Sequence, residues 1–118
     1  DPTKRSKGRW GDPDQAFVGY IDGAQNTSGY GVHWDPVARA ASAWRPAEAF
    51  TNGTAAQIAQ SIAQGHAVVV WGTYGNARRD DWTTAAGKRV RAWKGEHTRT
   101  VIGFEGTPDA PEKFILLP

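Results

Sequence analysis

The first 34 residues show no regular alternation of apolar and polar positions. Glycines and a proline interrupt every apolar run before it reaches the length of a strand. Aromatic side chains nevertheless recur through this stretch, and they argue against disorder: Trp10, Phe17, Tyr20, Tyr30 and Trp34. We therefore predict a long, ordered loop over residues 1–34 that is pinned by these rings.

A first helix is predicted to begin at Asp35-Pro36. An aspartate can cap the free N–H groups of a helix, and a proline fits its first position. The pattern indicates a helix to about Ala43, with Val37, Ala40 and Ala41 facing inward.

A second helix is more strongly specified. Thr54 and Gln57 have the spacing of a capping box, in which each side chain accepts a hydrogen bond from a backbone N–H of the other residue. Ile58 and Ile62 form an apolar stripe at helical spacing. Gly65 suits the left-handed position that follows a helix.

The remainder of the chain has the pattern of a sheet. Residues 67–71 form a β-branched run typical of a strand buried on both faces, and residues 73–87 are predicted to be a loop. Three further runs have strand character: 88–93, 98–105 and 113–117. Turns are expected at Lys94-Gly95 and over 106–111. A loop followed by two helices and an antiparallel sheet predicts an α+β fold in a single domain over residues 1–118.

Composition narrows the function. The 118 residues include no cysteine, which excludes disulfides, thiolate metal sites and a catalytic thiol within them. The formal net charge of +2 is too small to indicate nucleic-acid binding, and we interpret the basic clusters at 4–9 and 88–91 as solvated surface. No apolar run is long enough for a membrane span.

His97 is the strongest candidate for chemistry, because it opens a strongly β-forming run. A rigid strand can hold an imidazole in place, and an imidazole titrates near neutrality, as a general base requires. His33 and His66 are interpreted as a packing or hydrogen-bonding residue and a helix-end residue. No pair of histidines has close ligand spacing, so we predict neither a metal nor a cofactor.

Two adjacent carboxylates, Asp80 and Asp81, are a further candidate. Paired carboxylates can act as acid and base where their pKa values differ. These two residues are flanked by Arg78 and Arg79, and a salt-bridged surface turn is the simpler interpretation.

Several short motifs, in this order, resemble family thirty-nine of the cysteine peptidases, in its broad bacterial branch of papain-like domains. They are Trp10-Gly11-Asp12-Pro13 with Phe17-Val18-Gly19, Gly29-Tyr30-Gly31-Val32, Gly65-His66-Ala67-Val68-Val69-Val70-Trp71-Gly72, Gly95-Glu96-His97 with Val101-Ile102-Gly103-Phe104, and Phe114-Ile115-Leu116. The resemblance spans nearly the whole chain.

The resemblance implies a Cys-His-Asp or Cys-His-Asn triad on a papain-like fold. Only His97 matches a member of that triad, as the general base. The helix that carries the cysteine would precede Asp1, and the acid would follow Pro118. The chain is therefore expected to be the central portion of such a domain, without its catalytic helix and inactive alone. A second segment or chain would complete the fold.

The activity that the resemblance implies for the complete protein is hydrolysis of peptide or amide bonds through a thioester. The implied partner is a peptide or protein substrate, and the implied location is secreted or on a bacterial cell surface. A non-catalytic module that binds a peptide or a cell-wall component is the alternative. We predict that Trp34 and Trp82 bind the substrate. In the alternative, the aromatic-rich segment 10–34 and Trp82 would form the walls of a groove.

Overall fold

The computed structural model describes residues 4–118, so the first three residues of the predicted loop lie outside the described residues. Its elements are two helices and seven strands within that range. The helices are α1 (Trp34–Ala41) and α2 (Ala55–Ala63). The strands are β1 (Val18–Gly19), β2 (Gly29–Gly31), β3 (Val68–Arg79), β4 (Trp82–Thr83), β5 (Arg89–Val90), β6 (Trp93–Thr107) and β7 (Ala110–Leu116). The predicted α+β class is confirmed.

The strands form three sheets, which are β1–β2, β4–β5 and β3–β6–β7. By its internal contacts the chain divides into two compact units. The first unit comprises Asp1–Ala49 and Thr73–Glu96, and the second comprises Phe50–Gly72 and His97–Pro118. The single domain predicted over residues 1–118 stays a prediction.

The first unit has a core built around Trp82, which has no exposed surface. Its ring lies 5.1 Å from the ring of Trp10 and makes an edge-to-face contact with Tyr30 at 4.8 Å between centroids. The indole N–H donates to the carbonyl oxygen of Gly11 at 2.7 Å, so the polar end of this buried ring is satisfied. Val18, Val90 and Ala92 complete the core.

The predicted loop is ordered, and it contains two short paired strands, β1 and β2. The glycines of this segment interrupt the apolar pattern from which strands are predicted. Trp10 is buried, as predicted, whereas Phe17 and Tyr20 are about half exposed. Arg5 also holds this segment in place. Its guanidinium forms an ion pair with Asp80 at 2.9 Å and lies over the ring of Trp82. The basic cluster at 4–9 is therefore partly used inside the fold.

The second unit contains α2 packed on β7. The capping box is confirmed: the Gln57 backbone N–H donates to Thr54 Oγ1 at 3.1 Å, and the Thr54 backbone N–H donates to Gln57 Oε1 at 2.8 Å. Ala59 is fully buried on the helix, and Gly65 has the expected left-handed φ of 91°. Strands β6 and β7 form an antiparallel hairpin in which Phe104 faces Phe114.

The prediction for α1 was wrong in two respects. The helix begins one residue before Asp35, and the capping position is His33, whose side chain makes no capping hydrogen bond. Asp35 lies in the first turn, where a carboxylate is still favoured by the helix dipole. The helix also buries no residue fully, and Ala40 and Ala41 are exposed rather than inward.

The sheet prediction needs several corrections, and the short strand β4 also falls within the predicted loop over 73–87. Strand β3 continues through the predicted loop to Arg79, and its residue Val69 is exposed rather than buried. The predicted turn at Lys94-Gly95 is part of β6, where Gly95 approaches Ala77 so closely that an added Cβ would lie 3.0 Å from the alanine side chain. Long-range pairing therefore overrides the local preference for a loop or turn at both places.

Neither helix in the part of the chain that the structure describes has the length and apolar character needed to cross a membrane.

Candidate functional site

His97 lies in β6, four residues before Val101, where the pairing with β7 begins. Its side chain is exposed, so it can be reached from solvent. The strand holds the imidazole at a defined place because the backbone on either side belongs to the same long element. The sequence predicted that His97 opens a strand, but β6 begins four residues earlier, at Trp93, so the histidine lies within the strand.

His97 lines a concave surface of about 230 Å³ in the second unit. The lining residues are His97, Thr98, Arg99, Thr100, Leu117 and Pro118. The Leu117 backbone N–H donates to the carbonyl oxygen of Thr100 at 3.0 Å, which fixes the two sides of the concavity to each other. We call this surface the His97 concavity.

Trp34 and Trp82, the predicted walls of a substrate groove, belong to the first unit. Trp34 is partly buried and its ring stacks on His33, with centroids 4.9 Å apart. Trp82 lies in the core and could contact a substrate only if that core opened. Substrate binding by these two residues stays a prediction.

A second polar group, not foreseen from the sequence as a unit, surrounds His33. Its Nδ1 lies 2.8 Å from Asp14 Oδ1, and its Nε2 lies 3.0 Å from the Tyr30 hydroxyl. His33 is buried, and the interpretation of this residue as one that packs and hydrogen-bonds is confirmed. Tyr30 and His33 are close in sequence, but nothing local indicates that Asp14 joins them.

Lys88 closes the same network from the other side. Its ammonium contacts Asp12 Oδ2 at 2.9 Å and Asp14 Oδ2 at 2.8 Å. Burial acts to raise the pKa of Asp14, but hydrogen bonds from Lys88 and His33 outweigh it and lower the pKa below its ordinary value. The pKa of Lys88 is raised, chiefly by its hydrogen bond to Asp14. The contact between Asp14 and Lys88 therefore favours the charged form of these two side chains.

Tyr30 stays protonated in this setting. Burial raises its pKa, and the carboxylates of Glu96, Asp14 and Asp81 raise it further. The Tyr30 hydroxyl and the Asp14 carboxylate each share a hydrogen bond with one nitrogen of the His33 ring. This arrangement satisfies each polar atom, and it opposes use of Tyr30 as a nucleophile.

Glu96, the neighbour of His97 in sequence, has a carboxyl group whose pKa differs strongly from its ordinary value. Burial raises its pKa to about 7. It is thus close to half protonated at neutral pH. The sequence analysis did not single it out, because burial of a charged side chain in a strand depends on contacts that the local pattern does not contain.

The adjacent carboxylates Asp80 and Asp81 are both salt-bridged, as the simpler interpretation held. Asp80 pairs with Arg5 and Asp81 pairs with Arg79. Asp81 Oδ1 also accepts a hydrogen bond from the Ala92 backbone N–H at 2.9 Å. The hydrogen bond from Arg79 is the main cause of the lowered pKa of Asp81. Both carboxylates thus have a structural role in the first unit.

Within residues 4–118 no group of three or more metal-ligating side chains lies close enough to hold an ion. The residues that could do chemistry are therefore single side chains and the network around His33.

Comparison with models of protein families gives a match to the Peptidase C39-like family over residues 3–116. The chain belongs to the Peptidase C39-like family. The match covers nearly the whole chain and confirms the resemblance found in the sequence. No curated protein and no solved structure matches the chain significantly.

The sequence resemblance assigned the general base to His97 alone, and the structure places that residue on an exposed, concave surface of a long strand. The 118 residues contain no cysteine that could act with it. Any thiol that His97 serves would therefore belong to a segment outside these residues.

Proposed function

We propose that this chain contributes the general base, His97, to a cysteine-peptidase-like site that hydrolyses peptide or related amide bonds. The observation that carries the proposal is the position of His97 on the exposed concave surface of β6 in a chain of the Peptidase C39-like family. The nucleophile would be a cysteine from a segment outside the 118 residues, or from another chain.

The chemistry asks two things of His97. It takes the proton of the thiol while sulfur forms a bond to the carbonyl carbon of the substrate, and it returns a proton to the amine as the C–N bond breaks. It then takes a proton from the water that hydrolyses the thioester and restores the thiol. An imidazole on a rigid strand suits this exchange because it does not need to be positioned anew for each step.

The chain alone is predicted to have no hydrolase activity, since no thiol is present to form the thioester. Completion of the site by another segment or chain is supported by the second unit itself. Val69, Ile102 and Ile115 are large apolar side chains of that unit, and each is about half exposed. A partner that covers them would gain the free energy of apolar burial.

The decisive test is a peptidase assay on the natural polypeptide in full, with the 118-residue chain assayed in parallel. His97→Gln should lower kcat/KM for a peptide substrate by at least about 100-fold. His66→Gln is the matched control, because His66 is an exposed histidine of the same unit and lies outside the His97 concavity. It should leave kcat/KM within about twofold of the wild type.

Two results would overturn the proposal: hydrolysis by the 118-residue chain alone, or hydrolysis by the full polypeptide that survives His97→Gln.

The absence of cysteine favours one other function, a module that binds a peptide or a cell-wall component without cleaving it. Saturable binding of a peptide by a full polypeptide that has no hydrolase activity would support that module. We further propose a secreted or cell-surface location, which fractionation of the source cells would test.

A further inference from the structure

Arg99 occupies the same surface as His97. Side chains two residues apart on a strand point to the same face, and these two both line the His97 concavity. Their Cα atoms are separated by about 6.6 Å on an extended strand, roughly the length of two residues of an extended peptide. A group bound by Arg99 would therefore lie within a residue or two of a bond presented to His97.

The side chain of Arg99 is an exposed cation on this surface. In residues 4–118 its side chain has no hydrogen-bond or ion-pair partner, and it is exposed. Other arginines of the chain behave differently: Arg5 pairs with Asp80, and Arg79 pairs with Asp81. A guanidinium keeps its charge at every physiological pH, so Arg99 presents a permanent cation to whatever enters the concavity.

The side chains that line the concavity include the cation of Arg99 and no carboxylate. None of its six lining residues has an acidic side chain, and the other five side chains are histidine, two threonines, leucine and proline. A carboxylate that enters it meets a fork of N–H donors suited to both of its oxygens, whereas a cationic group meets like charge. The surface is thus complementary to a carboxylate placed beside the reacting bond.

We propose that Arg99 binds a carboxylate of the peptide substrate and so determines specificity at the His97 concavity. The inference rests on the proposed function, which supplies the substrate class. The carboxylate belongs either to an aspartate or glutamate side chain or to the end of the peptide chain. Arg99 is a substrate-binding residue in this proposal, and it takes no part in the transfer of protons.

Binding can be tested without catalysis on the natural polypeptide in full, carrying His97→Gln, by NMR titration with three pentapeptides. The first is capped at both ends with a central glutamate, the second is its glutamine analogue, and the third is the glutamine peptide with a free terminal carboxylate. We expect the best carboxylate peptide to bind about fivefold more tightly than the capped glutamine peptide at low salt, with shifts at Thr98 and Thr100. Comparison of the first and third peptides identifies which carboxylate is recognised.

Arg99→Gln should reduce the affinity for the preferred peptide to that of the capped glutamine peptide. Arg99→Lys should keep part of the preference, because the charge remains but the planar fork does not. The matched control is Arg91→Gln, since Arg91 is another exposed arginine without a partner in the described residues and does not line the concavity. It should leave the preference unchanged.

Equal affinity for all three peptides, or a preference that survives Arg99→Gln, would overturn the inference. The assay of the full polypeptide separates this result from the proposed function. Hydrolysis that requires His97 but does not distinguish the peptides overturns the role of Arg99 and leaves the peptidase standing. A carboxylate preference that depends on Arg99, without hydrolysis, supports carboxylate recognition and overturns the peptidase.

Discussion

Nδ1 of His33 lies 2.8 Å from Oδ1 of Asp14, although 19 residues separate them in the sequence. This contact ties the segment before β1 to the start of α1. Nε2 of the same ring faces the Tyr30 hydroxyl at 3.0 Å. A single buried imidazole thus joins three parts of the first unit, and its two nitrogens give two independent ways to test that role.

Loss of the Tyr30 hydroxyl should destabilise the first unit. Tyr30→Phe leaves Nε2 of the buried His33 ring without its partner, which should lower the free energy of unfolding by about 1–2 kcal/mol. Urea unfolding followed by circular dichroism measures the loss. The control is Tyr20→Phe. Because Tyr20 is half exposed, loss of its hydroxyl leaves no buried polar atom without a partner. Equal stability of the two variants would contradict the role given to Tyr30.

Asp14 should make the first unit sensitive to acid. Its pKa in the folded protein is below the ordinary value of 3.8, so it contributes stability above that pH and loses the contribution as the pH falls through its folded pKa. Asp14→Asn should cost about 1 kcal/mol at pH 7, a modest value because the carboxylate is partly exposed.

The pH dependence separates this effect from a general loss of packing. The difference in unfolding free energy between wild type and Asp14→Asn should shrink below about pH 3.8, where the wild-type carboxylate becomes protonated. Asp22→Asn serves as the control, since Asp22 is an exposed aspartate of the same unit. A difference that stays constant from pH 7 to pH 2 would show that charge at Asp14 is not the cause.

The capping box gives a prediction for the second unit. Thr54→Ala removes the oxygen that accepts from the Gln57 backbone N–H and should destabilise α2 by about 1 kcal/mol. Hydrogen exchange of the amides at the start of α2 is the most direct measurement. Thr51→Ala, a change at an exposed threonine just before the helix, should have no comparable effect. Unchanged protection in Thr54→Ala would contradict the capping role.

These features differ in how far the sequence could predict them. The capping box of α2 is local, because Thr54 and Gln57 are three residues apart, and the sequence predicted it correctly. The contact of Asp14 with His33 is not local, and neither is the pairing that extends β3 to Arg79. Such contacts depend on which distant segments meet in the fold. A pattern over a few neighbouring residues does not contain this information.

The candidate residues His97 and Trp82 also differ in how far the sequence could predict their surroundings. His97 could be singled out because a rigid strand and an ionisable ring are both visible in the sequence. Trp82 was predicted as a groove wall, yet it lies in a core, because an indole suits a buried packing site as well as a ligand groove. Residue type alone does not distinguish those two environments.

Glu96 supplies the last prediction, and its sign is opposite to that of Asp14. Burial raises its pKa from the ordinary 4.5 to about 7, so the folded protein holds the proton more tightly than the unfolded chain does. The stability that this carboxyl contributes is therefore complete below about pH 4.5 and is lost as the pH rises toward 7. At pH 8 the Glu96 carboxylate of the folded protein is charged although it is partly buried.

Glu96→Gln should remove that penalty, because an amide has similar shape and no charge. The variant should be more stable than the wild type at pH 8, by about 1–3 kcal/mol, and close to it at pH 4.5. Urea unfolding at several pH values measures this, with the exposed carboxyl of Glu105→Gln as the control. A gain in Glu96→Gln that is the same at pH 4.5 and pH 8 would mean that packing or solvation of the amide, and not the raised pKa, sets the stability of this strand.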